Sequence, residues 1–85
     1  MELVQPQYTK TEKAKLIILG TSINSQAGAT KILEMLMKIE EIEDVSIDLE
    51  DWENVVRVET QKPLAIQKVM DCIKYSGFIC YELPD

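Results

Sequence analysis

Asp44-Val45-Ser46-Ile47-Asp48-Leu49-Glu50 alternates apolar and polar residues without a break. A period of two puts Val45, Ile47 and Leu49 on one face and the acids on the other, so the stretch reads as a half-buried strand. Asp51-Trp52-Glu53-Asn54 then supplies turn chemistry, and Val55 to Glu59 forms a second strand of a hairpin. Working outward toward the N-terminus, Ile32, Leu33, Leu36 and Ile39 recur at helical spacing and predict a helix over about 25–40, with Asn24 or Ser25 as its N-cap. Ahead of it, Ala14 to Leu19 is a short apolar run stopped by Gly20, the signature of a strand. Working outward toward the C-terminus, Pro63 suits the first turn of a helix, where a missing N–H costs nothing. Ile66, Val69, Met70 and Ile73 form that helix's apolar stripe and Gly77 closes it. Phe78 to Leu83 is the last strand.

The order strand-helix-strand-strand-helix-strand in one small domain predicts an α+β, ferredoxin-like βαββαβ sandwich. Two right-handed crossovers give a four-stranded antiparallel sheet in order 4-1-3-2 with both helices on one face. Residues 1–13 carry no sustained period and read as a flexible leader, leaving residues 14–85 as the single domain. The expected core is Leu16, Ile18, Ile32, Leu36, Ile39, Val45, Ile47, Val56, Val58, Ile66, Val69 and Ile73. That phase leaves Ile17 and Leu19 of the first strand, with Val55 and Arg57 of the third, on the open face of the sheet. The last strand adds either Phe78 and Cys80 or Ile79 and Tyr81 to it. Apolar neighbours on an open face mark a surface for a protein partner or for self-association.

Composition narrows the function. The 85 residues are 46% hydrophobic and 28% charged, with a net charge of −6. An acidic chain lacks the basic footprint of a nucleic-acid binder. The longest apolar run, Leu16 to Leu19, is far too short for membrane insertion, and the first thirteen residues lack a signal peptide's apolar core. There is no histidine, which removes the usual general base near neutral pH and the commonest zinc ligand. No nucleophile–base pair can be assembled, so neither catalytic nor cofactor-binding residues are expected and the chain reads as a non-enzyme. Two cysteines are too few for a disulfide scaffold. The default is a reduced, cytoplasmic protein.

With that element order, the chain resembles the heavy-metal-associated (HMA) domain, the ferredoxin-like module of copper chaperones and of the soluble tails of P-type metal ATPases. Val45-Ser46-Ile47-Asp48-Leu49 matches the family's second strand, which often ends Val-Asp-Leu. Ile73-Lys74-Tyr75-Ser76-Gly77-Phe78 matches its Ile-Lys-Lys-x-Gly-Tyr before the last strand. Counting back without gaps places Ile23-Asn24-Ser25-Gln26-Ala27-Gly28 on the family's Met-Thr-Cys-x-x-Cys loop. The two metal-binding cysteines of the family therefore fall on Ser25 and Gly28. A register that uses Gly20 as the family glycine puts Ile23 and Gln26 there instead. Neither register supplies the thiolates that soft Cu(I) needs. The resemblance implies the HMA fold with a degenerate metal-binding motif, no metal at the family site, and a role as a protein-interaction or regulatory module. The alternative is a heavy-metal binding or transport protein with a site outside the family loop.

Two features bear on that alternative. Cys72, in the second helix, and Cys80, in the last strand, are separated by a reversal at Gly77 that permits either proximity or a gap of ~10 Å at ~1.5 Å per helical residue. A free cysteine commonly behaves as a small buried hydrophobe. Residues 40–53 hold eight acids and no base, against seven acids and nine bases elsewhere. An acidic edge resists strand-to-strand aggregation and also suits a basic protein partner. The EF-hand order of calcium ligands is absent from it.

Overall fold

A computed structural model describes residues 13–84. The elements are β1 (Lys13–Thr21), α1 (Gln26–Met37), β2 (Ile42–Asp48), β3 (Val55–Ala65), α2 (Ile66–Tyr75) and β4 (Cys80–Glu82). The sheet is antiparallel with strand order β2-β3-β1-β4, the expected order read from the other edge. The leader falls outside the described residues except for Lys13, which opens β1.

Each element follows from local sequence. Ser25 caps α1 with extended backbone (φ −145°, ψ 154°), and its Oγ accepts a hydrogen bond from the Gly28 amide at 3.1 Å. The buried stripe of α1 is Ala29, Ile32 and Leu36, and that of α2 is Ile66, Val69, Met70 and Ile73. Gly77 follows the C-cap of α2 at φ +95°, a conformation open to glycine at no steric cost. Asn54 ends the β2–β3 turn in the left-handed region at φ +48°, which asparagine tolerates better than most residues.

Three expectations change. The face of β1 is reversed: Ile17 and Leu19 are buried against the helices, 2% and 0% exposed, while Leu16 and Ile18 are half-exposed on the open face. The register explains it, because Ile17 pairs with Val58 and Leu19 with Val56, and directly opposed residues share a face. Val56 and Val58 are themselves fully buried, as expected, so they fix the phase of their neighbours. Pro63 does not open α2. It lies exposed in β3, which runs past a bulge that opens opposite Ala14 to Leu16, and α2 begins three residues later behind Ala65. The last strand is also shorter than expected: Cys80, Tyr81 and Glu82 pair in register with β1, and Leu83 adds a single amide bond to Ile18 O at 2.9 Å. On that strand it is Cys80 that turns into the core, with Ile79 and Tyr81 exposed.

One continuous core joins both helices to the inner face of the sheet, with Ile39, Ile47 and Leu49 packed at its margin. Leu36 is completely buried at its centre. Leu36→Ala is expected to cost about 2–5 kcal/mol, through lost transfer energy and the cavity left behind. Urea unfolding followed by circular dichroism measures it. A cost under ~0.5 kcal/mol would place Leu36 at the surface and break the helix-face assignment.

Candidate functional site

The candidate site is the end of the molecule where the β1–α1 loop, the β2–β3 turn and the α2–β4 connection meet. Thr21, buried at the end of β1, ties the first two together. Its amide donates to Glu53 O at 2.9 Å, and its Oγ1 donates to Asn54 O at 2.7 Å while accepting from the Ile23 amide at 3.1 Å. Ser22 ties the first to the third. Its amide donates to Ile79 O at 3.0 Å and its Oγ accepts from the Ile79 amide at 2.8 Å. Ile23 is fully buried beneath the loop, which anchors the chain where α1 starts.

Ser25 and Gly28 are brought together in the first turn of α1, as their spacing requires. The Ser25 hydroxyl is engaged as the helix cap. Gly28 has no side chain, and the space a Cβ would enter is closed: it would stand 2.9 Å from Phe78 Cζ, 3.2 Å from Ser25 Oγ and 3.6 Å from Ile23 Cγ2. Phe78 therefore abuts this turn directly. No sulfur is contributed by residues 22–28. The donor set here is hydroxyl and amide, which does not fit a soft monovalent metal.

The thiols of the chain lie elsewhere. Cys72 is half-buried on α2 and Cys80 is buried on β4, both as free thiols. The Cys80 thiol donates to Met70 O at 3.6 Å, and burial, the largest influence on it, pushes its pKa above the ordinary thiol value. Among the described residues no group of three or more His, Cys, Asp or Glu side chains is placed to hold a metal ion. Since the thiolate is the reactive form, a thiol reagent at about pH 8 is expected to modify Cys72 in the folded protein and Cys80 only on unfolding. Mass spectrometry of the labelled peptides checks it. Equal labelling of both would show that β4 opens freely.

The open sheet face carries Val55 and Arg57, as the sequence suggests, beside Leu16 and Ile18 rather than Ile17 and Leu19. Arg57 forms a salt bridge with Glu59 on the same strand. A feature not foreseen crosses this face: the Tyr81 ring lies over Gly20, where any Cβ would come within 2.4–2.7 Å of it, and its hydroxyl donates to Glu53 Oε1 at 3.2 Å. Partial desolvation, and then the Glu53 carboxylate, hold that hydroxyl above the usual tyrosine pKa. The pairing of an aromatic with a strand glycine becomes visible only once the register Gly20↔Tyr81 is known.

The acidic stretch forms the exposed edge strand β2 and the turn after it. Asp48 Oδ1 accepts from the Glu50 and Asp51 amides at 3.0 and 3.3 Å, and Asp51 Oδ1 accepts from the Glu53 amide at 2.8 Å. Two of the acids thus build the turn, and Trp52 stands at its tip, 86% exposed.

The architecture matches solved metal-handling domains. The yeast copper transporter domain Ccc2a, studied in apo and Cu(I)-loaded states, superposes with a TM-score of 0.73 at 22% identity, covering 85% of this chain and 99% of that one. The fold is that of the heavy-metal-associated domains. The first domain of the human copper chaperone for SOD1, Cu(I)-loaded, matches at TM-score 0.68 and 21% identity over 79% of this chain and 89% of that one. The N-terminal domain of PacS from Synechocystis matches at 0.68 and 18% over 84% and 100%. Ccc2a is also seen in a complex with Atx1 and Cu(I). No protein-family model matches the sequence, and no curated protein matches it. Among the described residues, no helix is long and apolar enough to cross a membrane.

Proposed function

We propose that this chain is a non-enzymatic HMA-like domain that has lost the thiolate metal site and serves as a protein-interaction or regulatory module in a reducing, cytoplasmic setting. The observation that carries the reading is the chemistry of the first turn of α1. The residue at one family cysteine position is a serine already engaged in capping the helix, and the residue at the other is a glycine whose side-chain space belongs to Phe78. Hydroxyl and backbone amide donors do not replace thiolates around Cu(I). Thr21 and Ser22 hold the loop to the neighbouring elements, which supports a reading in which the donor set is what differs. Ccc2a, which shares this fold, docks with Atx1, and that supports an interaction role for this chain. Two free thiols suit a reducing compartment.

Native mass spectrometry with Cu(I) and Zn²⁺ tests the reading. The Cys72→Ser, Cys80→Ala variant is expected to bind neither metal tightly, because nothing at residues 22–28 offers a soft ligand. Tight binding that survives both substitutions would defeat it.

A further inference from the structure

On the open sheet face, where β2 and β3 enter their turn, lies a groove lined by Ser46, Ile47, Asp48, Asp51, Val55 and Arg57. Its charges do not balance. Arg57, the cation of the group, is occupied by Glu59, which leaves the Asp48 and Asp51 carboxylates beside the Val55 side chain. The wider stretch 40–53, which includes both carboxylates, holds eight acids and no base. Trp52 follows Asp51 directly and is almost entirely exposed, as an aromatic anchor without its partner would be. The turn that presents it is closed by a network of hydrogen bonds. Besides the three carboxylate–amide bonds, the Asn54 amide donates to Asp51 O at 2.8 Å and Thr21 clamps Asn54 from the core side. A preorganised surface loses little entropy on binding.

We infer that this groove docks a segment of a partner protein that carries arginine or lysine together with aliphatic side chains, with Trp52 closing over it. The inference rests on the interaction-module reading above and names its partner by chemistry. Cations complement Asp48 and Asp51 and stack on the indole face, and aliphatic groups cover Val55. A second copy meeting this face with its own would set carboxylates against carboxylates, so the charge favours a foreign partner.

Trp52 is the single tryptophan of the chain and follows Asp51 of the groove, so emission excited at the red edge of the indole band, where tyrosine does not absorb, reports the turn beside it. The full chain is titrated with a short peptide of alternating leucine and arginine, and separately with its leucine–glutamate counterpart. The basic peptide should shift the emission and the acidic one should not. Asp48→Asn with Asp51→Asn removes charge while keeping the acceptors that hold the turn, and should weaken binding roughly tenfold. Glu50→Gln, whose side chain takes no part in the turn bonds described, should weaken it in the same direction if the double variant fails to fold. Trp52→Ser, followed by calorimetry, should also weaken it roughly tenfold with no change of charge. Glu34→Gln, on α1, should leave it unchanged. Failure of the basic peptide to bind, equal binding of both peptides, or indifference to Trp52→Ser would overturn the inference, the last by reducing the effect to general electrostatics. Dimerisation of the chain that Trp52→Ser abolishes, seen by sedimentation, would assign the groove to a second copy and overturn it too. None of these results bears on metal binding at residues 22–28, which the Cu(I) experiment decides separately.

Discussion

Ile17→Lys is expected to prevent folding, whereas Ile18→Lys is expected to leave the protein folded. The two positions are adjacent and chemically identical, so the contrast isolates the face each one occupies. Ile17 is 2% exposed, opposite Val58 in the inner layer of the sheet. Replacing it forfeits about 1.5–3 kcal/mol of apolar burial and places an ammonium where no described carboxylate pairs with it, adding several kcal/mol more. The folded part, residues 13–84, has about 4–11 kcal/mol of total stability, so the sum consumes most or all of it. Ile18 is half-exposed on the outer face opposite Arg57, and a lysine there can extend its ammonium into water at a cost of about 1 kcal/mol. Circular dichroism and urea titration of the two variants decide it. A folded Ile17→Lys with an unfolded Ile18→Lys would restore the opposite phase of β1.

That contrast also shows which parts of the fold the sequence discloses. β2 was readable because its polar residues break the apolar ones at every second position, so only one face can be buried. The stripe of α2 was readable for the same reason at a period of 3.6. Leu16 to Leu19 contains no polar residue, so alternation carries no phase there. A one-residue slip then exchanges its faces without any local signal. What settles the phase is pairing with Val56 and Val58 across the sheet, a contact some forty residues away in sequence. Pro63 is ambiguous for a related reason. Its fixed φ suits a helix start, but it suits an extended strand as well, and a strand position with no demand on its amide tolerates it. The hydrophobic stripe beginning at Ile66 was the better guide to where α2 starts.

At the candidate site the division runs between local and long-range chemistry. Ser25 as a helix cap was legible because capping is decided within four residues. The roles of Thr21, Ser22 and Tyr81 were not, because each depends on a partner from another element: Asn54, Ile79 and Glu53. The outward placement of Val55 and Arg57 is legible because Arg57 marks its own strand's outer side. The reading of Ile17 and Leu19 had no such marker. Consequently the patch on that face is made by Leu16, Ile18 and Val55, and a charge-introducing variant aimed at an interface belongs at Ile18 and not at Ile17.

Ser25→Cys with Gly28→Cys is expected to create tight Cu(I) binding where the native chain, freed of Cys72 and Cys80, has none. Both positions lie in the first turn of α1, on one side of it, so two thiols there converge. The positive end of the helix lowers thiol pKa and favours the ligating thiolate. The structural cost is modest but real. Losing the Ser25 cap removes about 1 kcal/mol, and replacing a helical glycine returns about the same. The added Cβ at residue 28 meets Phe78 Cζ, so the ring must swing aside. It contacts the turn with the tip of its side chain, the part that moves most cheaply. Phe78 should then report the metal directly, its ring resonances shifting in an NMR titration of the quadruple variant with Cu(I). A variant that folds but takes up no Cu(I) would show that the loop's geometry, and not only its donor set, has departed from the solved copper domains. Binding accompanied by a shift at Phe78 would show that two sulfur atoms are what the native loop lacks.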